Sequence, residues 1–492
     1  MTLPDDLLLV LDAGTTSTRA MAFDPAGKVL AVAQRELTQF YPQPGWVEHD
    51  AAEIWNSTLA CAQDVVAKAG GPARFAAIGI TNQRETVIAW DRSTLQPLHR
   101  ALVWQDRRTA NLCAALRDGG KENLIQQRTG LLLDPYFSAT KLHWLLTEVP
   151  AVTAAAAGGR LAFGTVESWL VARLTGGLQI SDAANASRTS LLPLRGASWD
   201  EELCELFGVP ASTLGEVVDC HGDFGSSMPA LFGGPIRLAG LAGDQQSATI
   251  GQGCLAPGTI KATFGTGAFV LASTGADVPH SSNRLLGTVL CQSEGERSYA
   301  LEGSVFVAGS LVKWLRDSLR VIDSAAETEA VARSVPDSGG VVIVPALAGL
   351  GAPHWRPEAR AAITGMSFAT SRAHLVRAAL EAMALQTRDL AAAFAADGAA
   401  WRELSIDGGM AANDWIAQDI ADILDLPVTR PDMIETTALG AAMLAARGAG
   451  LHATLEEAAM AMRGPVRQFR AKLDPEVRAA RIAAWDDALA RI

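Results

Sequence analysis

Asp12-Ala13-Gly14-Thr15-Thr16-Ser17-Thr18-Arg19 directly follows the apolar run Leu7 to Leu11, and Phe264-Gly265-Thr266-Gly267-Ala268-Phe269 lies between strand-like runs at 259–263 and 270–272. In each stretch a strand-like run stops at a turn of glycine, threonine and serine. Small residues leave backbone N–H groups uncovered and hydroxyls add further donors, so such turns suit phosphate oxygens. Alone, either could be a hairpin whose glycine only meets turn geometry. One such turn in each half argues instead for a polyphosphate clamped between two related domains.

Around the first turn the pattern predicts strands over 7–12, 18–23 and 28–34, with Asp24-Pro25-Ala26-Gly27 as a hairpin turn. A helix over 48–69 follows, with Asp50 as its N-cap, then strands at 74–80 and 86–90. The second half repeats this arrangement, with strand–turn–strand over 259–272, a helix over 306–316, a strand at 341–344 and a long helix from Ser371 to Ala395. A strand at 403–407, a helix carrying Trp415, Ile416, Ile420 and Leu424 on one side, and a helix from Thr436 or Thr437 to just before Gly448 complete it. Strands alternating with helices predict α/β domains. A chain of 492 residues exceeds one hydrophobic core, and Gly251, Gly253 and Pro257 interrupt the pattern, so units of 1–250 and 251–492 are expected.

Composition narrows the function classes. A net charge of −12 argues against nucleic acid or an anionic membrane as the main partner. No stretch approaches the ~18 apolar residues of a membrane span, and the acidic start does not read as a secretory leader. The six cysteines lack C-x-x-C spacing and read as reduced thiols, so the cytoplasm is the expected location. No G-x-x-x-x-G-K-[ST] loop is present, and Asp223-Phe224-Gly225 lacks the other protein-kinase signatures.

Four further groups carry chemistry. Asp12, at the carboxyl end of a buried strand, could hold Mg²⁺ through water. Asp244, in Gly243-Asp244-Gln245-Gln246, could be a general base or the N-cap of the next helix. Arg84 and Glu85 suit adjacent hydroxyls of a polyol if the strand has already bent there, and otherwise read as a surface ion pair. Asp407-Gly408-Gly409-Met410-Ala411-Ala412-Asn413 lets backbone approach a flat or phosphorylated ligand, with Asn413 capping a helix.

Taken together, these segments resemble the FGGY carbohydrate kinases. The resemblance also rests on Thr81-Asn82-Gln83-Arg84-Glu85-Thr86, the run from Trp104 to Thr109, Asp134-Pro135-Tyr136-Phe137-Ser138-Ala139-Thr140-Lys141, Asn185-Ala186-Ser187-Arg188-Thr189 and Thr437-Ala438-Leu439-Gly440. It implies two actin-like (ribonuclease H-like) ATPase domains with ATP in the interdomain cleft, and transfer of the γ-phosphoryl group to a small polyol or sugar. Within the family, 81–86 and 134–141 point to glycerol; kinases for erythritol, xylitol or xylulose and an actin- or Hsp70-like ATPase are the alternatives. The implied roles are glycerol hydrogen-bonding for Arg84, Glu85, Tyr136, Asp244 and Gln245, packing on its carbon edge for Trp104 and Phe269, and proton acceptance for Asp244. Thr15, Thr16, Ser17, Arg19, Thr266, Gly309, Lys313, Gly409 and Asn413 would line the nucleotide site, with Asp12 and Asp244 holding Mg²⁺ through water. A homodimer or homotetramer is expected. Three departures stand out: Ala13 and Lys313 occupy positions where the family commonly has glutamine, and 222–237 lacks the Gly/Arg-rich loop that binds fructose 1,6-bisphosphate in some members.

Overall fold

The computed structural model describes residues 6–356 and 358–492. Its first sheet opens with an antiparallel meander of β1 (Leu7–Ala13), β2 (Ser17–Phe23) and β3 (Val29–Glu36). The strands β4 (Phe75–Asn82) and β5 (Leu238–Gly243) add in parallel, giving the order β5-β4-β1-β2-β3. Every residue of β1 is buried, as a continuous apolar run in a central strand requires, whereas β3 at the edge is largely exposed.

The second sheet contains β6 (Ile260–Phe264), β7 (Ala268–Gly275), β8 (Leu286–Ser293), β9 (Glu296–Val305), β10 (Leu404–Asp407), β11 (Val428–Pro431) and β12 (Val466–Phe469). Its order is β8-β9-β7-β6-β10-β11-β12. Around β6 the pattern of the first sheet recurs: β7 and β9 are antiparallel on one side, and β10 and β11 parallel on the other. Each central strand ends in one of the glycine–threonine turns. The architecture is the α/β, two-unit actin-like fold.

Helix α1 (Ala51–Ala69) covers the first sheet through Ile54, Trp55, Cys61, Ala62 and Val65. Asp50 caps it as expected, but its start lies at Ala51 because Glu48 and His49 pair as a short strand with Gln39–Phe40 and Ala101–Leu102. Helix α2 (Asp244–Gly251) leaves β5 directly. The helix expected from 306 begins only at Gly309, since β9 runs to Val305, and forms α3 (Gly309–Asp317). Helices α4 (Arg372–Ala396) and α5 (Asp414–Leu424) build the second core.

Helix α6 (Thr436–Gly448) takes a different place. Ala438, Ala441, Ala442, Leu444 and Ala445 pack with Leu8, Val10, Phe23 and Ala77 of the first sheet. It also crosses α2 with its backbone in contact: a Cβ on Gly440 would stand 1.8 Å from the Ser247 carbonyl oxygen, and one on Gly251 2.0 Å from that of Thr436. Among the described residues no helix is long and apolar enough to cross a membrane.

Candidate active site

Asp12 of β1 lies opposite Thr81 of β4, and Thr81 opposite Ala242 of β5. This register brings Asp12, the segment after β4 and Asp244 to one edge, outside the carboxyl ends of parallel strands, where α/β sheets receive ligands. Consecutive strand residues face apart, yet Arg84 and Glu85 line the same cavity. The cause is Glu85, whose φ of 60° lies in the left-handed region and turns the chain after β4. The bend that lets both side chains reach one ligand is present, and the pair is buried rather than a surface ion pair.

The cavity holds about 160 Å³ and is lined by Thr15, Arg84, Glu85, Trp104, Tyr136, Asp244, Gln245, Thr263, Gly265, Thr266, Gly267 and Phe269. It falls well below the ~300–1,000 Å³ of pockets for drug-sized ligands, so it suits a molecule of a few heavy atoms. One wall is aromatic. Trp104 meets Tyr136 and Phe269 edge to face, at 5.7 and 6.2 Å between ring centroids. Its indole Nε1 donates to Thr15 Oγ1 at 2.9 Å, which ties this wall to the first turn.

The rest of the lining is largely polar. Arg84 donates from Nη1 and Nη2 to the two carboxylate oxygens of Glu302, at 2.6 and 3.0 Å. The Tyr136 hydroxyl lies 3.4 Å from Arg84 Nη2, and burial pushes its pKa upward, so it stays a donor. Lys141 fixes the loop that presents Tyr136 by donating to the carbonyl oxygens of Pro135, Tyr136 and Phe137 at 2.6, 2.7 and 3.1 Å. Gln245 Oε1 accepts from Lys261 Nζ at 2.5 Å, which leaves the Gln245 amide N–H₂ for a ligand.

Asp244 is the first residue of α2, whose N-cap is Gly243 without a side-chain cap. Its carboxylate accepts from the Gln245 backbone N–H at 2.7 Å and lies 3.4 Å from Arg84 Nε. Burial pushes its pKa up to about 6, with Arg84 opposing. The group is therefore ionised at neutral pH yet basic enough to take a proton. Asp12 is also raised by burial, and it accepts from Arg19 Nη2 at 2.6 Å. Arg19 in turn donates from Nη1 to Glu435 Oε2 at 2.5 Å, just before α6.

The remaining predicted residues divide. Thr15 and Thr266 face the cavity from the two turns. Gly309 donates its N–H to the Gly265 carbonyl at 2.9 Å, so the start of α3 abuts the second turn. A Cβ on Gly408 would stand 2.6 Å from the Phe264 carbonyl oxygen, whereas one on Gly409 would meet nothing within 4 Å. Thr266, Gly309 and Gly409 thus share one mouth with open space before Gly409. Lys313 is exposed one helical turn beyond Gly309. Thr16 is exposed, while Ser17 Oγ accepts from Gln34 Nε2 at 3.1 Å. Asn413 caps α5, as expected, through Oδ1 to the N–H groups of Trp415 and Ile416, and its Nδ2 donates to Thr328 Oγ1. Its side chain is committed to the protein.

Sequence reasoning gave no role to Glu302, Arg188, Lys141 and Lys261, all buried around the cavity, although Arg188 and Lys141 lie in motifs that carry the resemblance. The only signal for Glu302 and Lys261 is a charge inside an apolar strand, in Leu301-Glu302-Gly303 and Ile260-Lys261-Ala262. Such a charge needs a buried partner, but the pattern does not name it.

Residues 7–251 match the model of the N-terminal domain of the FGGY family of carbohydrate kinases, and 260–449 that of its C-terminal domain. The chain belongs to the FGGY family of carbohydrate kinases. This FGGY kinase is 54% identical over 487 residues to a glycerol kinase of Rhodospirillum centenum, covering 98% of this chain and 97% of the other. It is 52% identical to a glycerol kinase of Alcanivorax borkumensis, covering 99% and 98% of the two chains. The crystal structure of Plasmodium falciparum glycerol kinase with ADP superimposes with a TM-score of 0.91 at 34% identity, covering 99% and 98%.

Proposed function

We propose that this FGGY kinase transfers the γ-phosphoryl group of ATP to a terminal hydroxyl of glycerol, giving sn-glycerol 3-phosphate and ADP. The observation that carries the reading is the small cavity with one aromatic and one polar wall, roofed by both glycine–threonine turns. Arg84, Glu85, Tyr136 and Gln245 hydrogen-bond the hydroxyls, and Trp104 and Phe269 pack on the carbon edge. Asp244 accepts the hydroxyl proton as that oxygen bonds to the γ-phosphorus and the bond to the β,γ-bridging oxygen breaks. The reaction needs in-line positioning and charge stabilisation more than covalent chemistry.

The phosphates lie against Thr15, Thr16 and Ser17 of the first turn and Thr266 of the second, with Arg19, Gly309, Lys313, Gly409 and Asn413 around the rest of the nucleotide. Asp12 and Asp244 fit Mg²⁺. Among the described residues no group of three or more His, Cys, Asp or Glu could hold a metal, but Mg²⁺ is typically held by one or two carboxylates, waters and substrate phosphates. When bound, the ion supplies charge neutralisation at the phosphate oxygens. We assign glycerol and phosphate binding to 1–250 and nucleotide binding to 251–492, and place the enzyme in the cytoplasm as a homodimer or homotetramer.

The test is ADP release from Mg²⁺–ATP across glycerol, dihydroxyacetone, erythritol, xylitol, xylulose and ribulose, with Asp244→Asn as control. Glycerol is expected to give the highest turnover, and the variant to lose roughly 10²–10⁴-fold in kcat while still binding ATP. Preference for a longer polyol would reassign the substrate. A variant with near-native turnover would remove Asp244 as the base.

A further inference from the structure

Arg84 and Glu85 are not held by the cavity they line. Arg188 donates from Nε to Glu85 Oε1 at 2.7 Å and from Nη2 to Glu302 Oε1 at 2.9 Å. Glu302 grips both Nη atoms of Arg84, whose Nε lies 3.8 Å from Glu85 Oε1. The four groups close a ring of alternating charge, Arg84, Glu302, Arg188 and Glu85, with every side chain at most 2% exposed. Neither Arg188 nor Glu302 lines the cavity.

Burial alone would raise the Glu302 carboxyl, but the guanidiniums of Arg188 and Arg84 hold it at about 2, so Glu302 is charged at neutral pH. A buried ionic cluster is rarely the most stable filling for its space, and apolar residues of similar volume commonly do as well or better. Stability is thus a weak reason for four buried charges. Their geometry offers a better one. Glu302, with Gln246 Oε1 at 3.2 Å and the Tyr136 hydroxyl oxygen at 3.4 Å, occupies the Nη edge of Arg84, and Nε, 3.4 Å from Asp244 Oδ1, is its remaining donor. Arg188 occupies Oε1 of Glu85, and among the described residues no hydrogen bond is made by Oε2. One donor and one acceptor are left, side by side, on adjacent residues that line the cavity. That is the complement of two neighbouring hydroxyls.

We propose that Glu302 and Arg188 are positioning residues that set specificity for a vicinal diol, by fixing which edge of Arg84 and which oxygen of Glu85 face the substrate. The inference rests on the polyol reading of the cavity. Glu302 belongs to β9 of the second sheet, while Arg84 and Glu85 follow β4 of the first, so both halves of the chain set the diol-reading geometry.

The experiment compares glycerol with propane-1,3-diol, which lacks the middle hydroxyl, in the wild type, Glu302→Asp, and the double variant Glu302→Met with Arg188→Met. Glu302→Asp keeps the charge and shortens the reach; the double variant removes one charge of each sign and keeps the ring neutral. In both, kcat/KM for glycerol should fall by roughly 100-fold, the cost expected of a misplacement near 1 Å, chiefly through KM. The ATP KM and the turnover of propane-1,3-diol should stay within about threefold, well inside that 100-fold effect. A double variant with native glycerol KM would overturn the proposal, since the ring would then only balance charge. So would equal rises in the glycerol and ATP KM, or an unaltered Glu302→Asp. A wild type inactive on glycerol would instead overturn the polyol reading beneath it.

Discussion

At the scale of single residues, the site works by leaving a few atoms unpaired among many that are bonded. Asp244 illustrates the cost and the use of that arrangement. Burial disfavours its charged form and lifts its pKa to about 6. An acid with a raised pKa loses its basic form as the pH falls through that value, so kcat/KM should drop about tenfold per unit below about pH 6 and level off above it. A profile flat to pH 5 would assign the proton to another group. Arg84→Ala should raise the glycerol KM by roughly 100-fold, because a buried charge-assisted donor is worth about 2–3 kcal/mol, while the ATP KM moves little. Equal effects on both would sink its assignment to the polyol. The sequence singled out Arg84, Glu85 and Asp244 because each lies at or just past the end of a strand-like run. Glu302 escaped because its partner Arg84 is 218 positions away, and no local spacing encodes that pairing.

At the scale of elements, the cavity-lining groups hang on strand ends and helix starts whose placement depends on close backbone contact. Helix α2 carries Asp244 at its first residue and is pressed against α6 through Gly440 and Gly251. Gly440→Ala should therefore lower stability by roughly 1–3 kcal/mol, the range of overpacking in a rigid core, and reduce turnover as the start of α2 shifts. Gly409→Ala is the contrasting case. Its added methyl meets open space, so the melting midpoint should be unchanged while the ATP KM rises. Calorimetry and ATP titration of the two variants check both outcomes, and a destabilised Gly409→Ala would mean that position serves packing. Most of these elements were legible from periodicity and caps, as with Asp50 before α1 and Asn413 before α5. Their edges were not: hydrophobic spacing cannot show that Glu48 and His49 pair with Ala101–Leu102 instead of opening the helix.

At the scale of the whole molecule, the repeat of two turns announced the repeat of two sheets, since the same local chemistry ends β1 and β6. What the chain order concealed is where α6 goes. It lies in the second half of the sequence yet buries Leu8, Val10, Met21, Phe23 and Ala77 of the first sheet. Its apolar residues mark it as a core helix without saying whose core, and the alternation of strands and helices made its own unit the default. The two halves are thus grafted into one another rather than strung in series. A nick in the link 252–259 should leave them associated, because α6 remains lodged beneath β1, β4 and β5. Expressed alone, residues 1–250 would lack that cover and should aggregate, while co-expression with 251–492 should return a soluble, active, non-covalent kinase. A soluble fragment 1–250 with a cooperative melt of its own would show that the first sheet closes without its borrowed helix. Complementation of the two fragments would show that the halves are held together by the lodged helix and the contacts around it rather than by the continuity of the chain.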